Sequence, residues 1–323
     1  MSQTASKISA VAPASPSTER SDERAPVSWW AWQAKSSPYF FVAPFVLLFT
    51  IFLLYPLLQS VVLSLFDTAG PRAKRFVGLG NFRFLLQDKL FWDAVLNTAL
   101  YTVGFLAVQI PASLGLALLL NSPRVRFRNF LRLAFFSAHL VGHVFVAVLF
   151  AMLLSPRDGL INRLISQIAG RPVEINWLGD PSLAMPAILL AAWWISIGYG
   201  MIYFLAALQA VDKELYEAAE VDGAGRWATF WHITVPGIRP VLTFLVVVGT
   251  IGAFQLFELP WVLFGQTTGP NNAALTIVGY LFISGWEIGN FGYAAAVGWM
   301  LFALIAGVAL IQVRAMAANK EAA

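Results

Sequence analysis

The carboxylate of Glu258 lies inside an apolar run of the sequence, FQLFELPW, at residues 254–261. In hydrocarbon such a group costs on the order of 2 to 3 kcal/mol unless it faces a cavity or a partner. Gln255 and Phe254 precede it by three and four positions, so one continuous helix would place all three on the same face. Amides and carboxylates bind hydroxyl groups, and aromatic rings bind apolar C–H faces. The three residues therefore form a candidate site for a sugar.

Two histidines, His139 and His143, have the spacing of metal ligands on one face of a helix. Zinc needs at least a third ligand. The surrounding apolar stretch contains no acidic residue, and the whole chain contains no cysteine. We therefore expect these histidines to pack and to form hydrogen bonds across helices, and we predict no metal site.

The composition indicates a membrane protein, because 59% of the residues are hydrophobic, 12% are charged and the mean hydropathy is +0.70. The basic residues are scattered in loops and are not interleaved with aromatic residues, which excludes a nucleic-acid surface. Stretches free of charge recur, and each supplies the ~20 apolar residues that cross a bilayer as a helix. We predict an all-α membrane protein with six spanning helices at residues 36–66, 94–123, 133–156, 181–211, 240–264 and 288–313.

The distribution of lysine and arginine predicts the orientation. If both termini are cytoplasmic, 13 of these residues lie inside and 8 outside. Most of the eight outside residues lie in the first outer loop, from Arg72 to Lys89. In this loop, apolar residues at helical spacing between 76 and 90 predict a helix on the membrane surface. This orientation also places the loop between the fourth and fifth helices in the cytoplasm.

That loop is an acidic island with a turn between two long apolar runs, and it reads LYEAAEVDGAGRWATFWHITVPGIRP at residues 215–240. Asp212 can cap the start of a first helix that extends to Glu220. Gly223 can adopt the left-handed conformation that ends this helix. A second turn should run from about residue 226 to 234 and stop before Pro236, which lacks a backbone donor. Two alanines in the first helix leave a shallow surface that another protein could approach closely.

The island resembles the EAA loop of ABC importer membrane subunits, and its fuller pattern is similar to the carbohydrate-uptake branch of those permeases. The likeness extends over about residues 39–314 and implies the type I ABC importer permease fold. It also implies that seven residues of the loop couple to an ATPase: Glu217, Ala218, Ala219, Asp222, Gly223, Ile233 and Pro236.

The resemblance further implies where the sugar is held. In the maltose-type member of this family, one subunit binds it through the two helices that flank the EAA loop. Carried onto this sequence, those contacts fall on Ser196 and Tyr199 in the fourth helix and on Phe254, Gln255 and Glu258 in the fifth.

The resemblance also implies the partners. They are a second, paralogous permease subunit, two ATPase subunits that bind ATP and magnesium, an extracytoplasmic solute-binding protein and the sugar. None of the chain's lysines follows a glycine, so the sequence contains no G-x-x-x-x-G-K-[ST] phosphate-binding loop. We therefore expect a transport subunit without a cofactor of its own, in the inner membrane of a bacterium or archaeon.

The predicted organisation is a disordered cytoplasmic tail at residues 1–35, a permease domain at 36–314 that includes the coupling loop 212–240, and a short tail at 315–323. Two alternatives stay open. The same machinery could carry a glycerol phosphoester, a polyamine or an amino acid. The chain could also be a proton-coupled secondary carrier, although such carriers usually show paired repeats and need no EAA loop.

Overall fold

The computed structural model describes residues 29–68 and 74–321. The described residues divide into two compact units, with the boundary between Leu57 and Leu58. Residues 1–28 of the predicted tail and Arg72 of the first loop lie outside the described residues.

Helix α1, Trp29–Phe49, forms most of the described part of the first unit. The predicted disorder is therefore wrong for residues 29–35, which are helical. Their sequence, WWAWQAK, contains alanine, glutamine and lysine, which favour helix, and no glycine or proline.

The first predicted span continues beyond α1 through a π-helical turn, Thr50–Leu54, into α2, Tyr55–Leu63. The π turn precedes Pro56, whose missing N–H removes one bond of the regular helical ladder. From Ser37 to Leu63 the chain is long and apolar enough to cross a membrane, in agreement with the predicted span 36–66.

Four further helices of the second unit are long and apolar enough to span a membrane. The last of them continues to Glu321, so the predicted tail 315–323 is helical as far as that residue. The four helices are α4, Lys89–Asn121, α8, Pro181–Ala210, α11, Val235–Phe254, and α14, Phe291–Glu321.

Small residues bring α4 and α8 close together. The Ser113 hydroxyl on α4 donates to the Ile197 carbonyl on α8 at 2.9 Å. A Cβ atom added at Gly200 would lie 2.5 Å from that hydroxyl, so only glycine permits the contact. Ser113 and Ala117 are fully buried against α8. Sequence alone would have allowed these small residues to pack against a second permease subunit, but they pack within this chain.

The third predicted span is not one continuous helix. It begins with helix α5, Arg128–Ser137, which continues into a 3₁₀ turn, Ala138–Leu140. The chain then bends by 99° and forms helix α6, His143–Leu153. Gly142 is extended at the bend, with φ −63° and ψ 144°. The sequence signal for the break is this glycine within an apolar run, because glycine is a poor helix former.

The fifth predicted span is also broken, so the prediction of one helix through Glu258 is wrong. Helix α11 ends at Phe254, and the short helix α12, Glu258–Leu263, begins after a non-helical segment. Pro260 explains the break, because in a continuous helix its ring would clash with the Leu256 carbonyl. That carbonyl instead accepts a hydrogen bond from the Thr276 hydroxyl at 2.7 Å.

The connections at the amino-terminal ends of α4 and α14 contain the remaining short elements. The predicted surface segment 76–90 is helical in part, as α3, Gly80–Gln87. Leu85 of this helix is nevertheless fully buried, in a core shared with α4, α14 and the short helix α13, Ile277–Phe282. These elements are β1, Phe66–Asp67, antiparallel to β2, Arg75–Phe76, then α3, Gly80–Gln87, a 3₁₀ turn, Pro270–Asn272, α13, Ile277–Phe282, and a π turn, Ile283–Glu287.

Three further helices remain to be described. Helix α7, Leu160–Ala169, lies between α6 and α8, and Asn162 anchors it by donating to the Pro156 and Ile175 carbonyls at 2.9 Å each. Helices α9, Lys213–Val221, and α10, Arg226–Thr229, form the loop between α8 and α11.

Candidate functional site

A cavity of about 620 Å³ lies between α4, the broken third span, α8 and the break after α11. This volume is in the range of pockets that hold small organic ligands. Its polar and aromatic lining includes Tyr101, Phe105, Gln109, His139, His143, Ser196, Tyr199, Gln255 and Glu258.

Four of the five predicted substrate residues line this cavity. Ser196 and Tyr199 come from α8, and Gln255 and Glu258 from the break between α11 and α12. The side chains of Gln255 and Glu258 are exposed. A ligand in the cavity can therefore reach an amide and a carboxylate without displacing a bond within the chain.

Phe254, the fifth predicted residue, does not line the cavity. It is only 7% exposed and lies in the core that contains Leu275 and Tyr280. The prediction placed it on one helical face with Gln255 and Glu258. Because α11 ends at Phe254, that spacing no longer determines the direction of these side chains.

His139 and His143 lie on opposite sides of the bend in the third span, so the prediction that they share one helical face is wrong. Both nevertheless line the cavity. The ring of His139 lies 4.5 Å from the ring of Tyr199, centroid to centroid. The described residues contain no group of three or more His, Cys, Asp or Glu side chains placed to hold a metal ion.

Gln109 on α4 is a cavity residue that the sequence reasoning missed. Its side-chain amide lies 3.4 Å from the Ser113 hydroxyl, and the residue is 4% exposed. The signal was available, because an amide within an apolar span is costly for the same reason as the carboxylate of Glu258. On the same helix, Tyr101 and Phe105 stack with their ring centroids 5.6 Å apart and add an aromatic wall.

A second cavity, of about 720 Å³, lies at the amino-terminal ends of α4 and α14. The Tyr280 hydroxyl at its floor donates to the Asp88 carboxylate and lies 2.8 Å from the Tyr293 hydroxyl. Burial and the bond to Asp88 raise the pKa of Tyr280 above its ordinary value. The carboxylate of Asp88 also accepts from the Leu90 N–H at 2.8 Å and caps α4. These polar groups bind one another, so they serve to join α13 and α14 to the start of α4.

Tyr280→Phe should therefore lower stability, because it removes the donor between Asp88 and Tyr293. Losing a hydrogen bond to a charged group costs about 1.5 to 3 kcal/mol, which corresponds to a fall in melting temperature of a few degrees. Thermal unfolding of the detergent-solubilised protein measures the change. Tyr55→Phe is the matched control, because Tyr55 is 61% exposed. Equal melting temperatures for the two variants would contradict the role of this network.

The loop between α8 and α11 has the predicted local structure at its start. The Asp212 carboxylate accepts from the Glu214 N–H at 3.0 Å and caps α9. Gly223 ends the helix with φ +72°, and the Ala224 N–H returns to the Ala219 carbonyl at 2.8 Å. Both predictions of helix capping are confirmed.

The second half of the loop differs from the prediction, because the helix does not stop before Pro236. A π turn, Phe230–Thr234, joins α10 to α11 without a gap. The Val235 N–H bonds to the Phe230 carbonyl in this turn, and Pro236 falls in the first turn of α11. Proline is tolerated there, since its missing donor is not required.

Five of the seven predicted coupling residues lie on α9 or directly at its end. Glu217 and Ala218 are exposed, Ala219 is half-buried, and Asp222 and Gly223 form the exposed end of the helix. Ile233 in the π turn is half-buried, and Pro236 is exposed. The Tyr216 hydroxyl lies 3.1 Å from the Thr234 hydroxyl, a contact that connects α9 to the π turn.

Large apolar side chains of this loop, one on α9 and two in the segment after it, are exposed. Val221 is 88% exposed, Trp227 73% and Trp231 50%. An exposed apolar patch beside a shallow alanine surface is typical of a protein interface.

Comparisons with known proteins identify the family. A sequence model of the family described as "Binding-protein-dependent transport system inner membrane component" matches residues 109–319. The arabinooligosaccharides transport system permease protein AraP of Bacillus subtilis (strain 168) is 38% identical over 281 residues, which cover 87% of this chain and 88% of that protein. The lactose transport system permease protein LacF of Rhizobium radiobacter is 36% identical over 273 residues, which cover 84% and 91%.

A solved structure shows the same fold. It is the crystal structure of a bacterial alginate ABC transporter in complex with an alginate pentasaccharide-bound periplasmic protein. One of its chains matches this chain with a TM-score of 0.77 and 26% identity, over 88% of this chain and 95% of that chain. The family resemblance and the fold predicted from the sequence are confirmed. The chain therefore belongs to the family of inner-membrane components of binding-protein-dependent transport systems, as a transport subunit with the type I ABC importer permease fold and not as an enzyme.

Proposed function

We propose that this permease subunit holds a neutral di- or oligosaccharide in the 620 Å³ cavity during import. The observation that carries the proposal is the chemistry of the lining. It combines the hydroxyls, amide and carboxylate of Ser196, Tyr199, Gln255 and Glu258 with aromatic rings. Such a lining can bind hydroxyl groups and the apolar faces of sugar rings at once.

The charge of the lining favours a neutral sugar over two of the alternative cargoes, a glycerol phosphoester and a polyamine. Glu258 is the one carboxylate among the described residues that line the cavity, and neither lysine nor arginine occurs among them. A glycerol phosphoester would bring an anion without a permanent cation to meet it. A polyamine would bring several cations to a single carboxylate. Either cargo would therefore leave desolvated charge without a partner of opposite sign. A neutral sugar brings no charge of its own, and its hydroxyls can donate hydrogen bonds to the carboxylate of Glu258.

The exposed side of α9 is the surface we propose for docking of an ATPase subunit. Ala218 and the half-buried Ala219 let a partner approach the helix closely, and Glu217 offers a charge at its edge. The chain has no phosphate-binding loop of its own, so the energy must come from a separate subunit that binds ATP and magnesium. Movement of α9 would pass directly into α11, because α10 and the π turn join the loop to α11 without a gap.

The assembly that follows has this chain beside a second, paralogous permease, with two ATPase subunits on the side of α9. A solute-binding protein would deliver the sugar at the opposite face. In this arrangement both termini are cytoplasmic, and the chain lies in the inner membrane. The excess of lysine and arginine in the loops on the side of α9 supports this orientation.

Uptake into proteoliposomes that contain the full complex, with the binding protein outside and ATP inside, tests the function. The panel is lactose, arabinotriose, an alginate trisaccharide and glycerol 3-phosphate. We expect ATP-dependent uptake of lactose or arabinotriose at least about tenfold faster than of the two anions, because unpaired charge in the cavity is unfavourable.

Preferential uptake of either anion would overturn the neutral-sugar proposal. A second outcome would favour the secondary-carrier alternative, for which the two histidines and Glu258 in one cavity are the relevant groups. In that case a protonophore would abolish uptake while internal ATP remained, and removal of ATP would leave uptake unchanged.

A further inference from the structure

The connection between α6 and α8 contains helix α7, which is anchored to the protein along one face. On that face Asn162 accepts a hydrogen bond from the Trp177 indole N–H at 2.9 Å. One turn later, the Ser166 hydroxyl accepts from the Val173 N–H, also at 2.9 Å. These bonds fix the rotation of α7 about its own axis and so determine which of its side chains are exposed.

An apolar stripe runs along an exposed face of α7. Leu160, Leu164 and Ile168 recur every four residues, so they lie on one side of the helix. All three are exposed, and Ile168 is 88% exposed. Only residues 154–159 separate α7 from the end of α6, so the helix starts close to the membrane surface. An amphipathic helix at that level inserts its apolar face into the lipid. We call these three residues the α7 stripe.

A polar groove of about 530 Å³ borders the stripe. Arg163 and Gln167 line it from the helix, and Arg157 and Arg171 line it from the segments before and after. Gln167 lies three residues from Leu164, so the groove and the stripe occupy adjoining faces of α7. We call this cavity the α7 groove.

The charges of the α7 groove favour an anion. Three arginines belong to it, Arg157, Arg163 and Arg171. Two carboxylates are near them, since Glu174 also lines the groove and Asp158 lies 3.4 Å from Arg163. The side chains of Arg157 and Arg171 form no hydrogen bond or ion pair with the part of the chain that the structure describes. The groove therefore has an excess of one positive charge, and guanidinium groups are well suited to phosphate oxygens.

We propose that α7 binds an anionic phospholipid of the outer leaflet, with its phosphodiester in the α7 groove and an acyl chain along the α7 stripe. Such a lipid joins one negative charge to a long apolar chain, which matches the two adjoining faces of the helix. The proposal also accounts for three of the eight basic residues that the predicted orientation leaves outside. It does not depend on which sugar the 620 Å³ cavity holds.

Native mass spectrometry of the full complex, equilibrated with equal amounts of phosphatidylglycerol and phosphatidylcholine, tests the proposal by counting the lipids that stay bound. The wild type should retain phosphatidylglycerol in preference. Arg157→Gln combined with Arg171→Gln should lower the retained phosphatidylglycerol about tenfold or more, because each cation near an anionic headgroup changes the affinity about fivefold. Phosphatidylcholine should be unchanged. Equal retention of the two lipids by the wild type would overturn the proposal.

Arg75→Gln combined with Arg83→Gln is the matched control. Both arginines are exposed in the first outer loop, and neither lines the α7 groove. This variant loses the same number of charges and should retain phosphatidylglycerol as the wild type does. A loss as large as that of the groove variant would mean that the attraction is unspecific and that α7 holds no lipid site.

Leu164→Ser combined with Ile168→Ser separates a lipid from a free phosphate. The variant keeps every arginine and removes most of the α7 stripe. It should lower the retained phosphatidylglycerol at least about threefold, because apolar contact with the acyl chain is lost. Millimolar inorganic phosphate should not displace the lipid from the wild type. Displacement by phosphate, or full retention of the lipid by the serine variant, would show that the groove binds a small anion and not a lipid.

An acidic surface of the solute-binding protein would also suit these arginines. The affinity of that protein for the complex in nanodiscs decides between the two partners. We expect the variant with Arg157→Gln and Arg171→Gln to keep the wild-type affinity. If this affinity falls while the retention of phosphatidylglycerol stays at the wild-type level, the α7 groove is a surface for protein docking and the proposal is wrong.

Discussion

Gly223→Val should release the ATPase partner from this permease, lowering the amount that co-purifies by about tenfold or more. The reason lies in the backbone, because Gly223 ends α9 with φ +72°. A β-branched residue in this region is a genuine outlier, and strain of this kind costs about 1 to 3 kcal/mol. A turn that leaves this conformation loses the bond from the Ala224 N–H to the Ala219 carbonyl. The exposed end of α9 then no longer has the shape on which the proposed docking depends.

The size of the effect follows from the population of the docking-competent loop. If the strain favours other conformations by 1.4 kcal/mol, only about a tenth of the molecules retain the competent one, and the apparent affinity falls by the same factor. The measurement is co-purification of the ATPase with the tagged permease from membranes, quantified against the amount of permease that has inserted.

Gly225→Val provides a matched control in the same turn. Gly225 has φ −69°, a value that valine adopts without strain. An added Cβ at either glycine meets no atom within 4 Å in the described chain, so neither substitution causes a steric clash. The two variants therefore differ in backbone conformation alone. Equal retention of the ATPase by both, or equal loss, would contradict the proposed role of the α9 terminus.

The coupling loop was the part of the fold that the sequence predicted in most detail, because its structure follows from local chemistry. Asp212 caps α9 through a neighbour two residues away, and Gly223 ends the helix through its own backbone. Neither requires a distant contact. Where the prediction failed, at Pro236, the cause was a π turn that accommodates the proline, and proline position alone does not reveal such a turn.

The spans were predictable as apolar segments, but their continuity was not. Hydropathy reports the cost of burying a segment in lipid and carries no information on whether its backbone is one helix. The break after α11 is stabilised by Thr276, whose hydroxyl binds the Leu256 carbonyl across 20 residues of sequence. Pro260 and Gly142 were the available local signals, and each is also compatible with a kinked helix.

The two helix breaks explain which site residues the sequence correctly predicted to line the cavity. Ser196 and Tyr199 lie within the unbroken α8, where helical spacing holds, and both line the cavity. Phe254 lies at the end of α11 and turns into the core, since the face that it was expected to share with Glu258 does not exist. Side-chain direction can thus be inferred from spacing only inside a continuous helix.

Glu258→Ala should slow uptake of the neutral sugar about 10- to 100-fold at saturating binding protein. The carboxylate is exposed at the start of α12 and is the one charged acceptor among the described cavity residues. A hydrogen bond to a charged group contributes about 1.5 to 3 kcal/mol, and its loss corresponds to this range of rates if the bond forms while the sugar occupies the cavity. Glu287→Ala is the matched control, because Glu287 is also exposed and does not line the cavity.

Glu258→Gln then separates the classes of cargo, because glutamine retains an acceptor and removes the charge. For a neutral sugar we expect Glu258→Gln to restore much of the uptake lost in Glu258→Ala, since a neutral acceptor still binds a hydroxyl, although more weakly. For a polyamine the two variants should be equally inactive, because the attraction comes from the charge itself. If both variants took up the sugar at the wild-type rate, the path of the sugar would avoid the break between α11 and α12. Partial recovery of uptake in Glu258→Gln would instead indicate that the break at Pro260 contributes to transport, because this break places Glu258 at the cavity.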